Sequence, residues 1–217
     1  MTDTAPTSDR VSLVDLLARL FAGPREARVT LAQLMDDMRG RAYPLMVVVF
    51  DIPNCIPTGI PWLSTITGVP IVILLSQMLM GYEVPTLPRF IATKAMPRSR
   101  LQDFLARARR WIVRLERAVH PRWPGWTTGA AGFWLSLVLL LNAVILALPI
   151  PFDNLPPAWA VMFFALALLE RDGLMALAGW LMTLVTLAWT ALLILFYSEI
   201  MALLPSFWRQ IKDAVFG

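Results

Sequence analysis

The run Glu170-Arg171-Asp172-Gly173 sets three ionisable side chains between two apolar segments. Charges in apolar surroundings are costly unless they are paired, hydrated or at a surface, so the run has two open placements. If the segment before it is re-entrant, Arg171 pairs with Glu170 or Asp172 at depth and binds an anion or relays a proton. If that segment tilts and crosses, the run is only a polar turn, and Gly173 suits a helix C-cap in both placements. A second set of candidates lies in two proline-rich breaks. Asp51 and Asn54 flank or occupy Ile52-Pro53-Asn54-Cys55-Ile56-Pro57, and Asp153 and Asn154 occupy Leu148-Pro149-Ile150-Pro151-Phe152-Asp153-Asn154-Leu155-Pro156-Pro157. Carboxylates and carboxamides there suit a shared substrate or ion site, and the same residues beside proline are also ordinary turn formers. Gln77 to Gly81 falls in the first half roughly where Glu170 to Gly173 falls in the second.

Other chemistry finds little material. One cysteine, Cys55, excludes an internal disulfide, and one histidine, His120, leaves too few soft ligands for a zinc, haem or iron–sulfur site, so neither metal nor cofactor is expected. There is no Ser/His/Asp set and no Gly-rich phosphate loop. Glu170 and Asp172 could do acid–base work, but the reading is not that of an enzyme.

The elements that position these residues are those of a membrane protein. The chain is 58% hydrophobic and only 16% charged, with mean hydropathy +0.63 and nine Trp able to act as interfacial anchors. Proline removes a backbone donor, so a break in an apolar run survives in hydrocarbon only where protein, water or a ligand satisfies the freed carbonyls. Residues 44–50 are apolar but too few to span. Residues 60–82 form a second apolar run that Gly68 and Pro70 can bend, giving a helical hairpin. Residues 133–148 form a clean span with Asn142 as its one strongly polar side chain. Residues 158–169 are too few to span comfortably, and 174–197 supply a full span.

Two amphipathic helices precede these segments. The first carries Val11, Leu13, Val14, Leu16, Leu17, Leu20 and Phe21 at helical spacing, and the second starts at Thr30 with Leu31, Leu34, Met35 and Met38 on one face. Residues 83–122 carry ten basic against three acidic side chains, a net +7 that the positive-inside rule keeps in the cytoplasm. Within them Leu101, Phe104, Leu105, Ala108, Trp111, Ile112 and Leu115 make an apolar stripe amid arginines, the pattern of a helix in the lipid headgroup layer. Arg107, Arg110, Arg114 and Arg117 are then the headgroup contacts, anchoring the protein or gathering an anionic lipid. Nucleic acid is not the expected partner.

The resulting fold class is all-α: a polytopic membrane helical bundle of two Pro-broken units, with re-entrant and inverted-repeat arrangements open, plus amphipathic surface helices. The boundaries are a cytoplasmic tract at 1–43, a first broken unit at 44–82, a basic interfacial segment at 83–128, a second broken unit at 129–197 and an amphipathic tail at 198–217. No cleavable signal peptide is read at the start, so the N-terminus is expected in the cytoplasm. The small residues Gly129, Ala130, Ala131 and Gly132 permit close packing within one chain or in a homo-oligomer.

Several motifs in order give the chain a resemblance to a known family. They are Ile52-Pro53-Asn54-x-Ile56-Pro57, Gly68-Val69-Pro70, Leu87-Pro88-Arg89, Leu148-Pro149-Ile150-Pro151-Phe152-x-Asn154 and Leu169-Glu170-Arg171-Asp172-Gly173. Over residues 11–197 the chain resembles the ExoD family of exopolysaccharide synthesis proteins, small integral membrane proteins of bacteria. Asp51 and Cys55 depart from the pattern. The resemblance implies a multi-pass protein of the bacterial inner membrane acting in exopolysaccharide production, and it supplies no catalytic residue set. Two molecular roles fit. One is a transporter-like protein whose broken helices handle an anionic substrate, such as the phosphate of a polyprenyl lipid carrier, or a coupled ion. The other is a scaffold or regulator of polysaccharide-synthesis enzymes, bound through cytoplasmic helices at 11–41 and 83–122.

Overall fold

The computed structural model describes residues 13–57, 62–86, 95–150 and 153–196. The tail at 198–217, the motif at 87–89 and residues 151–152 of the second break lie outside them. The described residues are overwhelmingly helical: α1 (Leu13–Phe21), α2 (Leu31–Met38), α3 (Ala42–Asp51), α4 (Leu63–Leu79), α5 (Arg98–Ala118), α6 (Gly129–Ala147), α7 (Leu155–Glu170) and α8 (Gly173–Leu195). Two three-residue strands, β1 (Arg28–Thr30) and β2 (Ala95–Pro97), pair antiparallel with Val29 opposite Met96. The expected second amphipathic helix is there, and its start is fixed by a reciprocal cap. Gln33 N–H donates to Thr30 Oγ1 at 3.3 Å, while Thr30 N–H donates to Gln33 Oε1 at 3.0 Å.

Helices α3, α4, α6, α7 and α8 pack side by side, and α7 is the central one, touching α3, α6 and α8. That position explains its composition. Ala158, Ala160, Val161, Phe164, Ala165 and Ala167 are all fully buried, so α7 is apolar all round rather than on one stripe. Pro156 and Pro157 sit in its first turn, where a missing N–H costs nothing, and the helix reaches back to Leu155. Close approach to α8 depends on Gly179, where a Cβ would lie 2.6 Å from the Phe164 ring. Two helices, α6 and α8, are long and apolar enough to cross a membrane, whereas α3 with its 3-10 extension, α4 and α7 are shorter. The outer faces of α6 and α8 expose Phe133, Trp134, Leu137, Leu181, Leu184 and Leu195, a wall of apolar side chains unusual for a water-facing surface.

The two hairpins, α3–α4 and α6–α7, turn at the same end of the bundle. Thr67, near the start of α4, bonds Asn54 in the first break. The adjacent Gly68 lies against Ala147, the last residue of α6 before the second break. An inverted pair of units finds no support in this arrangement. The opposite end is closed by Gly173 N–H donating to Arg122 O at 2.6 Å, which ties the start of α8 to the segment after α5.

The basic segment is placed differently from the expectation. The apolar stripe of α5, through Leu101, Leu105, Ile112 and Leu115, packs into the buried cluster that includes Leu17 and Phe21 of α1 instead of lying open to lipid. Polar bonds lock the pair: Val14 N–H to Glu116 Oε1 at 3.1 Å, Gln102 Nε2 to Phe21 O at 2.8 Å, and an exposed Arg25–Asp103 ion pair at 2.7 Å. Covering a partner helix satisfies an amphipathic face as well as a headgroup layer does, and a pattern alone does not distinguish them.

A Cβ added at Gly68 would lie 3.0 to 3.1 Å from Ala147, whereas one at Gly40 would meet nothing within 4 Å. Gly68→Val is therefore expected to lower stability by about 1–3 kcal/mol through overpacking. Gly40→Ala should leave it near wild type, as read by thermal unfolding of the detergent-purified protein.

Candidate functional site

The candidate residues divide between the two ends of the bundle. At the end where the hairpins turn, the first break continues α3 as a short 3-10 segment, Ile52–Cys55, with Pro53 in its first turn. Asp51 ends α3 and is fully buried. Its carboxylate accepts from Asn54 Nδ2 at 3.3 Å and from the Cys55 thiol at 3.8 Å. Asn54, 5% exposed, passes the contact on, since its Oδ1 accepts from Thr67 Oγ1 at 3.0 Å. The sequence reading missed Thr67 and Cys55 as members of this group. A buried amide three residues from a buried acid is the signal that could have found the group.

In the second break Asp153 is 1% exposed and accepts from one side chain, Thr190 of α8, whose Oγ1 lies 3.0 and 2.9 Å from its two oxygens. Asn154 is half-buried at the N-cap position of α7 and makes no side-chain cap bond. Asp51 and Asp153 therefore stand at the same end of the bundle, in separate clusters, each held by a hydroxyl or amide rather than by a base. None of α3, α4, α6, α7 or α8 contains a Lys, Arg or His. Among the described residues no group of three or more His, Cys, Asp or Glu stands where it could hold a metal ion.

The charged run lies at the other end and is built as a turn between α7 and α8. Arg171 is exposed in the left-handed conformation, φ +55°, and closes α7 with its N–H on Ala167 O. Asp172, fully buried, is the N-cap of α8. Its Oδ1 accepts from Leu174 N–H at 2.8 Å and its Oδ2 from the backbone N–H of His120 at 3.1 Å. Gly173 is not a C-cap but the first residue of α8, and the reason is steric: a Cβ there would meet Arg122 O at 2.9 Å. Glu170, half-buried, ends α7. Gln77 belongs to neither group, for its amide clamps the main chain of Thr86 from both sides, at 3.2 and 2.9 Å. The four arginines Arg107, Arg110, Arg114 and Arg117 are exposed on α5. Arg110, Arg114 and Arg117, with Arg109, line a shallow groove on its outer side.

The described residues are thus almost wholly helical, with two membrane-length helices, two proline-broken hairpins and buried carboxylates at the breaks. The chain belongs to the ExoD family: the family profile described as "Exopolysaccharide synthesis, ExoD" matches residues 13–192. It is 30% identical over 186 residues to Protein ExoD of Rhizobium meliloti, covering 84% of this chain and 77% of that protein. An uncharacterized protein of Synechocystis is 28% identical over 160 residues, covering 73% of this chain and 76% of its own length. No solved structure matches the chain.

If Asp172 works as a cap and tether, Asp172→Ala is expected to cost about 1–2 kcal/mol, because it leaves two part-buried backbone donors, those of Leu174 and His120, without their partner. Arg171→Gly should hold or raise stability by relieving the left-handed strain. Denaturation of the two purified variants against wild type checks both.

Proposed function

We propose that this chain is a multi-pass protein of the bacterial inner membrane acting in exopolysaccharide synthesis or export, transporter-like, with a coupled cation exchanging at the broken helices. The observation that carries this reading is the burial of Asp153, and of Asp51 in the neighbouring break, in a bundle whose packed helices hold no basic side chain. A buried carboxylate without a counter-charge is costly in low dielectric, so it either takes a proton or attracts a cation. Broken helices with their polar groups facing inward are where secondary transporters bind substrate and coupling ions.

The same observation argues against an anionic group at the breaks, where it would meet two acids and no cation. An anionic substrate, such as the phosphate of a polyprenyl lipid carrier, instead matches the opposite end, with exposed Arg171 and the arginine face of α5. By the positive-inside rule that end is read as cytoplasmic, together with α1 and the N-terminal tract, and the breaks face away from it.

A second reading has its own observation. The α1–α5 pair with its two-stranded ribbon turns arginines outward, which suits a scaffold or regulator binding polysaccharide-synthesis enzymes.

Secreted polysaccharide per unit of membrane-embedded protein, measured in a deletion strain, separates the two. Asp153→Asn at normal abundance is expected to lose most of the output, with Asp51→Asn reduced and Arg171→Gln reduced less. Full output from both aspartate variants, with loss on replacing Arg109, Arg110, Arg114 and Arg117 by Gln, would transfer the case to the scaffold.

A further inference from the structure

The interior between α6 and α8 holds a row of oxygen acceptors short of donors. Asn142, near the middle of α6, is fully buried. Its Nδ2 donates to Val138 O and to Thr183 Oγ1, both at 2.9 Å, while its Oδ1 is buried without a hydrogen-bond partner. The alternative amide orientation is worse, because it would turn the oxygen toward Val138 O and pull the Thr183 hydroxyl away from its own acceptor, Gly179 O at 2.9 Å. A buried carbonyl left this way is costly unless something else meets it.

The hydroxyls along α8 deepen the deficit. Thr183, Thr186 and Thr190 follow at i, i+3 and i+7, one helical face, over about 10 Å. Thr186, fully buried, donates to Met182 O at 2.9 Å, so its hydroxyl proton is spent on its own helix and only lone pairs face inward. Thr190 spends its proton on Asp153. From Asn142 to Asp153 the row therefore offers a carbonyl, hydroxyl lone pairs and a carboxylate. Asp51 and Cys55, in the neighbouring break, are the other ionisable side chains at this end among the described residues.

We propose that Asn142, Thr183, Thr186, Thr190 and Asp153 form a path for a monovalent cation, entering at the second break and reaching the Asn142 carbonyl. Oxygen-only lining with one carboxylate is the chemistry of a hard, singly charged ion, either an alkali cation or a proton carried on water. This inference rests on the cation-exchange reading above and extends it by naming the path and its inner end.

The test uses the full chain in lipid nanodiscs at fixed ionic strength, with choline replacing sodium. Equilibrium binding of radioactive sodium reads the alkali ion. The infrared carboxylic-acid carbonyl band, followed across pH, reads the proton. Thr186→Val and Asn142→Leu keep the size of the side chain while removing its oxygen, and carry the test if Asp153→Asn folds poorly. If an alkali cation is the ligand, sodium binding saturates, and each of these two variants weakens it on the order of tenfold, as loss of one neutral ligand would. If a proton is the ligand, sodium does not bind, and a carbonyl band absent from Asp153→Asn shifts in Asn142→Leu. Neither response, or responses untouched by both Asn142→Leu and Thr186→Val, overturns the path. Cation binding that is present in wild type and lost in Asn142→Leu while polysaccharide output stays normal would keep the ion site and reject its link to polysaccharide production.

Discussion

Keeping a carboxylate inside apolar helices is the constraint on which the rest of this molecule turns. Three aspartates are buried to within 1% exposure, and each meets the cost differently. Asp172 is satisfied by main-chain donors, Leu174 N–H in the first turn of α8 and His120 N–H just after α5, so it belongs to the scaffold of the turn. Asp51 is served by an amide and a thiol within its own break. Asp153 is held by one hydroxyl across 37 residues of chain. The least supplied of the three is the one with room in its hydrogen bonding for an exchangeable partner.

The architecture serves this arrangement by turning both hairpins the same way. Close packing at Gly68 against Ala147 and at Gly179 against Phe164 lets short helices pack around α7, and it brings the two breaks to one end. Basic side chains collect elsewhere, on α5 and in the segment leading to α8, where the return of the chain is tied by the Gly173–Arg122 bond. The breaks hold Asp51 and Asp153 and no described basic side chain, which gives the protein an electrical polarity along the bundle. In a membrane, such a polarity fixes orientation as well as ion preference.

Local features were legible in the sequence because local physics decides them. The apolar runs at 133–148 and 174–197 became α6 and α8, Thr30 and Gln33 mark the start of α2, and both breaks follow from proline's missing N–H. What was not legible depends on partners distant in sequence. The stripe on α5 reads equally as a lipid face or a helix face, and only the α1 contacts, about 80 to 100 residues away along the chain, decide it. The short β1–β2 ribbon has too few residues for a periodic signal. Asp172 and Gly173 looked like the end of one helix because Asp-Gly suits both a terminus and a start, and the His120 N–H that resolves the ambiguity lies 52 residues away. Thr190 gave no sign of facing Asp153.

Under the function proposed for this chain, the buried carboxylates at the breaks exchange a cation across the bundle. The most direct measurement of this exchange is the decay of an imposed sodium or pH gradient in vesicles reconstituted with the purified chain. The account predicts that wild-type protein dissipates one of the two gradients faster than empty vesicles do, and that Asp153→Asn, inserted in equal amount, does not. Wild-type vesicles as tight as empty ones to both ions, or equal leak from Asp153→Asn, would contradict it.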